Sequence, residues 1–99
     1  MRGIQKQTEI FLDSCAGDII RKLDDKFDSH DFIKKLIKYR EHGYIARLSG
    51  YATFKNFHSQ IGRYLKENSC ILNIKSDGKN RSINIKGYNS ENEKWKKIV

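Results

Sequence analysis

The residues best suited to contacting another molecule cluster between Thr53 and Asn68, in the stretch TFKNFHSQIGRYLKEN. Lysine and arginine bring charge, and arginine adds a planar fork; asparagine, glutamine and serine bring short hydrogen-bonding groups. That mixture suits phosphate oxygens and base edges together. At 100° per residue, Lys55, Asn56, Ser59, Arg63 and Lys66 share one side of a helix, with Gln60 and His58 on its two flanks. Phe54, Phe57, Ile61 and Leu65, with Tyr64 beside them, fall on the opposite side and predict a core-facing stripe. The same segregation describes any surface helix with a solvated outer face. The surrounding elements therefore decide what it means.

Charge gives the first such context. The chain has 99 residues and a net charge of +8. Residues 1–31 hold five Lys/Arg and seven Asp/Glu, whereas residues 32–99 hold fifteen and five. A basic body behind a slightly acidic first segment points to a polyanion partner for the body. Nucleic acid is the common partner; an anionic membrane surface would need a basic helix with a large exposed apolar face, and the basic part has none to spare. No apolar run is long enough for a signal peptide or a membrane span, so a cytoplasmic protein is expected, nucleoid-associated if bacterial.

The length fits a single domain covering 1–99. Eleven aromatic residues support a real core, and the absence of proline fits a helix-rich chain. Cys15 and Cys70 match no metal spacing. Two reduced, partly buried thiols are expected, with a single disulfide as the alternative.

In chain order, residues 8–26 read as a helix with Leu12, Ala16, Ile19, Ile20, Leu23 and Phe27 in one stripe. Ile4, Phe11 and Cys15 form a second apolar line. A helix this wide either sits deep in the core or buries its extra face against a second copy, and the homodimer is the favoured alternative. Gly17 predicts a close contact or a small kink. Asp28 caps the next helix, with Asp31 in its first turn and Phe27 and Phe32 spaced as a hydrophobic staple. That helix runs to about Arg40 and turns Lys34, Lys35 and Lys38 outward, and Gly43 is its expected left-handed stop. His30 and His42 read as surface residues at helix ends. A short helix over 44–49 follows, with Tyr44, Ile45 and Leu48 toward the core. Thr53 then caps the long basic helix.

Past Asn68, residues 70–75 and 82–86 read as two strands, with Ile83 and Ile85 on one face and Ser82, Asn84 and Lys86 on the other. Asp77-Gly78 is a strong turn signal. It predicts a hairpin whose tip presents Lys79, Asn80 and Arg81. Ser90 and Glu93 have capping-box spacing, so 89–99 is expected to be a short tail or helix, with Trp95 packed back on the hairpin or on the first helix.

A short helix, a turn, a longer basic helix and a hairpin resemble the winged helix-turn-helix domains that bind DNA. The resemblance covers 28–88 and is one of architecture. Ala46 and Gly50 have the spacing of the small residue and turn glycine of the older helix-turn-helix pattern. Asn56, however, stands where that pattern has an apolar residue, which implies a longer turn. The expected fold is thus α+β: a mostly helical winged helix-turn-helix, with residues 1–27 as an added N-terminal helix and a C-terminal β-hairpin wing.

The resemblance implies double-stranded DNA as partner. Lys55, Asn56, Ser59 and Arg63 would enter the major groove, and Gln60 would reach adenine if the helix is rolled. Lys66, Lys79 and Arg81 would meet phosphates, with Asn80 beside them at the wing tip. The alternatives are a winged-helix module that contacts an acidic protein, and RNA binding. An enzyme is not expected: there is no Gly-rich phosphate loop, GxSxG or HExxH. Asp24, Asp25, Asp28 and Asp31 are explained by helix-end charge, with a metal-dependent nuclease as the remaining alternative. No catalytic residue, metal or cofactor is assigned.

Overall fold

The computed structural model describes residues 4–98. Within them lie five helices and a three-stranded antiparallel sheet. The order is α1 (Lys6–Arg21), β1 (Lys26–Asp28), α2 (Ser29–Tyr39), α3 (Glu41–Leu48), α4 (Phe54–Glu67), α5 (Ser69–Leu72), β2 (Ile74–Ile83) and β3 (Asn89–Lys97). The sheet order is β1-β3-β2. This is an α+β, winged-helix-like layout.

The α1 stripe is buried through Leu12, Cys15, Ala16, Ile19 and Ile20. Its second line is used inside the same chain. Phe11 packs so closely on Gly43 that a Cβ there would lie 2.3 Å from the ring, and Ile4 also packs against the core. The width of α1 therefore no longer argues for a second copy. Gly43 is not a helix stop but a residue inside α3 that lets Phe11 approach. The break falls one turn earlier, at Arg40, with φ −140° and ψ 47°. Gly17 makes no close contact; only the end of Arg21 comes within 3.8 Å of its Cβ position. Ile45 is 55% exposed rather than buried.

Local signals are realised at α2 and α4. Asp28 and Asp31 form a reciprocal capping box, and Thr53 accepts from the Asn56 amide at 3.1 Å. Both satisfy amides that a helix leaves without internal partners. The turn between α3 and α4 runs over 49–53, longer than the short turn of the older motif, as Asn56 implies.

The C-terminal third differs most from expectation. Residues 69–72 are helical, and Asn73 ends that turn in the left-handed region at φ 59°, a conformation asparagine tolerates. Asp77-Gly78 is no turn. The pairs Ser76↔Trp95 and Lys79↔Glu93 place two residues opposite one, a β-bulge in which Gly78 takes φ 92°. The chain reverses later. Asn84 and Tyr88 close the wing tip, with the Asn84 amide donating to the Tyr88 carbonyl at 2.8 Å. The Asn84 side chain also accepts from the amides of Lys86 and Tyr88. Residues 89–97 form β3, not a tail or helix, because Trp95 pairs with Phe27 on one side and Ser76 on the other. Trp95 is buried as expected, and its Nε1 donates to Ser29 Oγ at 3.1 Å.

Candidate nucleic-acid interface

The face of α4 is set by what it buries. Phe57, Ile61, Tyr64 and Leu65 enter the core, and that stripe turns Lys55, Asn56, Ser59 and Lys66 to the surface. Arg63 lies beside them, its Nε donating to Glu67 Oε2 at 2.9 Å across one helical turn. Five of the six α4 residues predicted to make contact thus share one outer face.

Gln60 does not belong to it. Its side-chain oxygen accepts from the Gln5 amide at 2.9 Å and from the Tyr51 hydroxyl at 2.5 Å. Tyr51 in turn is 2.7 Å from the Thr8 hydroxyl. Gln60 is therefore a tie between α4 and the first turn of α1, turned away from any groove reader's position. The flank it occupies faces α1, a neighbour that helical periodicity alone does not reveal.

The opposite flank faces the hairpin. A groove of about 690 Å³ runs there, with Lys55, His58, Ser59 and Gly62 on the α4 side and Lys79, Asn84, Ser90 and Glu91 on the sheet side. Phe54, expected in the core, is half-buried at the groove's end, edge-on to His58 at 4.8 Å. The Lys86 ammonium sits 4.3 Å from the centre of the Phe54 ring. That cation–π contact joins the wing tip to the start of α4. Lys86 was not singled out from sequence because Phe54 was read as core; the corrected position of Phe54 is what brings the two together.

The three predicted wing residues are separated. Lys79 lines the groove. Asn80 points inward and its side-chain oxygen accepts from Asn92 at 3.2 Å. Arg81 is exposed on β2 and donates to the Asn89 carbonyl at 3.3 Å. None of the three is at the tip. The true tip exposes Ile85, Lys86 and Tyr88.

The expected alternation is present from Ser82 to Ile85, and the polar side is the inner one: Ser82 and Asn84 are half-buried, while Ile83 and Ile85 are exposed. The reason is the neighbour on the inner side. Here the hairpin meets the polar start of α2, so inward groups must be able to hydrogen-bond. His30 Nδ1 is 2.7 Å from Ser82 Oγ, and its Nε2 is 3.3 Å from Ser90 Oγ. The His30 amide donates to Asn92 at 3.0 Å. His30 is thus a network residue, not a surface one. Burial holds its pKa below the ordinary value, with Asp28 opposing and Lys34 adding to the effect. For Asp28, burial pushes the carboxyl upward, but hydrogen bonds from Asp31, Ser82 and Asn80 and the charge of His30 outweigh it and leave the pKa lowered.

His58 closes the groove floor. Its Nε2 is 2.6 Å from the Tyr44 hydroxyl. Burial, with a smaller contribution from His30, brings its pKa down to about 4. It is neutral near pH 7 and acts as a hydrogen-bonding wall rather than a cation.

Among the described residues, no group of three or more His, Cys, Asp or Glu is placed to hold a metal ion. Cys15 is buried and Cys70 is exposed, both as free thiols. No described helix is long and apolar enough to cross a membrane. Comparison with protein families, curated proteins and solved structures found no match to this chain.

Proposed function

We propose that the protein binds double-stranded DNA through the outer face of α4, with the wing beside it. One observation carries this reading: Lys55, Asn56, Ser59, Arg63 and Lys66 share one face of α4, whose edge opens into a groove lined on the sheet side by Lys79 and by Glu91 and Glu93. A recognition helix needs donors that reach base edges and cations that meet the flanking phosphates. This face has both, and the net charge of +8 favours the encounter. The role is that of a sequence-specific regulator or a chromosome- or mobile-element-associated factor. The free thiols fit a reducing, cytoplasmic setting.

The test is anisotropy titration of a labelled duplex, selected from a random library, at several salt concentrations. With about five phosphates neutralised, the log–log salt slope is near −4 to −5. Ser59→Ala combined with Arg63→Ala removes preference for the selected duplex, at about 1–3 kcal/mol for the Arg63 contact, and leaves folding intact. A flat salt response would remove the DNA reading.

A second reading draws on the wing tip. Ile83, Ile85 and Tyr88 are 49%, 37% and 68% exposed, more apolar than phosphate contact requires. A module that binds a protein partner uses such a tip directly. Unchanged DNA binding in Ile85→Ser with Tyr88→Ser, with loss of a protein partner, would favour it.

A further inference from the structure

The α4 face is not the only concentration of positive charge. A cleft of about 340 Å³ lies on the far side of α2, lined by Lys22, Lys26, Lys34, Lys35 and Lys38 over Leu23 and Phe27. The lysines come from the end of α1, from β1 and from α2. Only Asp24 and Asp31 among the lining residues oppose them, and Asp31 already accepts from the Asp28 amide in the capping box. Among the described residues the ion pairs are Arg21–Asp18 and Arg63–Glu67, so none of these five ammonium groups is in one. Lys22 and Lys38 both lie against the Tyr39 ring, at 4.8 and 5.5 Å from its centre. Five like charges gathered around a concavity repel one another, and a polyanion relieves that repulsion while releasing its own counterions.

The cleft is separate from the α4 groove. Asp31, Lys34, Lys35 and Lys38 lie on one stripe of α2 and line the cleft, while Ser29, His30 and Ile33 lie on another and line the groove. From Asp31 to Lys38 the helix rises about 10 Å. Along a duplex axis that length carries about three phosphates of one strand.

We propose that this cleft holds the sugar-phosphate backbone of a second DNA duplex, so that one chain bridges two segments. The inference rests on the α4 reading, which supplies the first. The cleft carries no Asn, Gln, Arg or Ser, and its ammonium groups meet phosphates rather than base edges, so it holds DNA without regard to sequence.

The experiment tethers the selected duplex to beads and measures capture of a fluorescent duplex of unrelated sequence by the full chain. Wild type captures it. Lys34→Gln with Lys38→Gln lowers capture at least about tenfold, the loss of about two phosphate contacts, while anisotropy binding to the selected duplex alone stays within about threefold. Lys6→Gln with Lys75→Gln removes the same charge from exposed positions outside both sites and keeps capture. Capture that survives the cleft pair, or that falls equally in the control pair, overturns the proposal. So does a wild type that binds one duplex but captures no second, even if inorganic tripolyphosphate binds at the cleft. Failure to bind either duplex by anisotropy instead removes the α4 reading beneath it.

Discussion

Near its root the β2–β3 hairpin places Ile74 and Trp95 in the core, and β1 adds Phe27 across from Trp95. Nearer the tip the same hairpin turns Asn80, Ser82, Ser90 and Asn92 toward His30 and exposes Ile83 and Ile85. The two halves differ in what holds them. Apolar burial is non-directional and stabilises strongly. A hydrogen-bond network contributes little net stability but fixes orientation, because each bond demands its own geometry. The root therefore anchors the hairpin, and the distal half aims the wing at α4. The bulge at Asp77-Gly78 lies between them, where the strand's twist and facing can change.

The largest effect expected from this division is at the root. Trp95 is 2% exposed and its indole donates to Ser29. Trp95→Ala removes a large buried ring and leaves the Ser29 hydroxyl short of a partner, at about 3–5 kcal/mol. That is a large fraction of the stability of a small domain. Urea unfolding followed by far-UV circular dichroism measures it. A loss below about 1 kcal/mol would mean that the root is not the anchor.

A smaller effect distinguishes the groove by pH. An unfolded histidine titrates near 6.5, whereas His58 in the folded chain titrates at about 4. Between those values the unfolded state binds the extra proton. Stability is therefore full above about pH 6.5 and falls as pH drops toward 4. Each pH unit in that window is worth about 1.4 kcal/mol, and partial contact with water reduces the whole to about 2 kcal/mol. Urea midpoints at pH 7 and pH 4.5 in wild type and His58→Gln isolate it: the wild type declines more by that amount. Parallel declines in the two proteins would assign the acid sensitivity elsewhere.

What the sequence made legible follows the same division between local and distant causes. Thr53, Asp28 and the bounds of α4 depend on neighbours within four residues, and they were readable. So was the outward placement of Lys55, Asn56, Ser59 and Lys66, which needs only the helical period and an apolar stripe. The hairpin register was not. An Asp-Gly pair fits a tight turn and a glycine bulge alike, and the choice was made by Ile74 pairing with Lys97 and Ser76 with Trp95, partners about twenty residues away. Gln60 was misplaced for the same reason, since Gln5 and Tyr51 claim it. The lysine cleft was half visible. Lys34, Lys35 and Lys38 face outward by helical period alone, but Lys22 joins them from the end of α1 and Lys26 from β1, a three-residue strand with no pattern of its own.

The smallest effect on stability should come from the tip. Ile85 and Tyr88 are both exposed, and no described core cluster includes them. Ile85→Ser with Tyr88→Ser should leave the unfolding midpoint within about 0.5 kcal/mol of wild type. The backbone of the tip is held by the Asn84 side chain, and Lys86 stays over Phe54, so the wing keeps its pose. If the tip rests in the minor groove, where apolar side chains lodge against or between base steps, affinity for the selected duplex falls by about 1 kcal/mol, or roughly fivefold, with the salt slope unchanged because no cation is lost. Titration of the double variant at two salt concentrations reads both quantities. An unchanged affinity assigns the apolar tip to a protein partner and leaves α4 and its flanking lysines as the whole of the proposed first DNA surface.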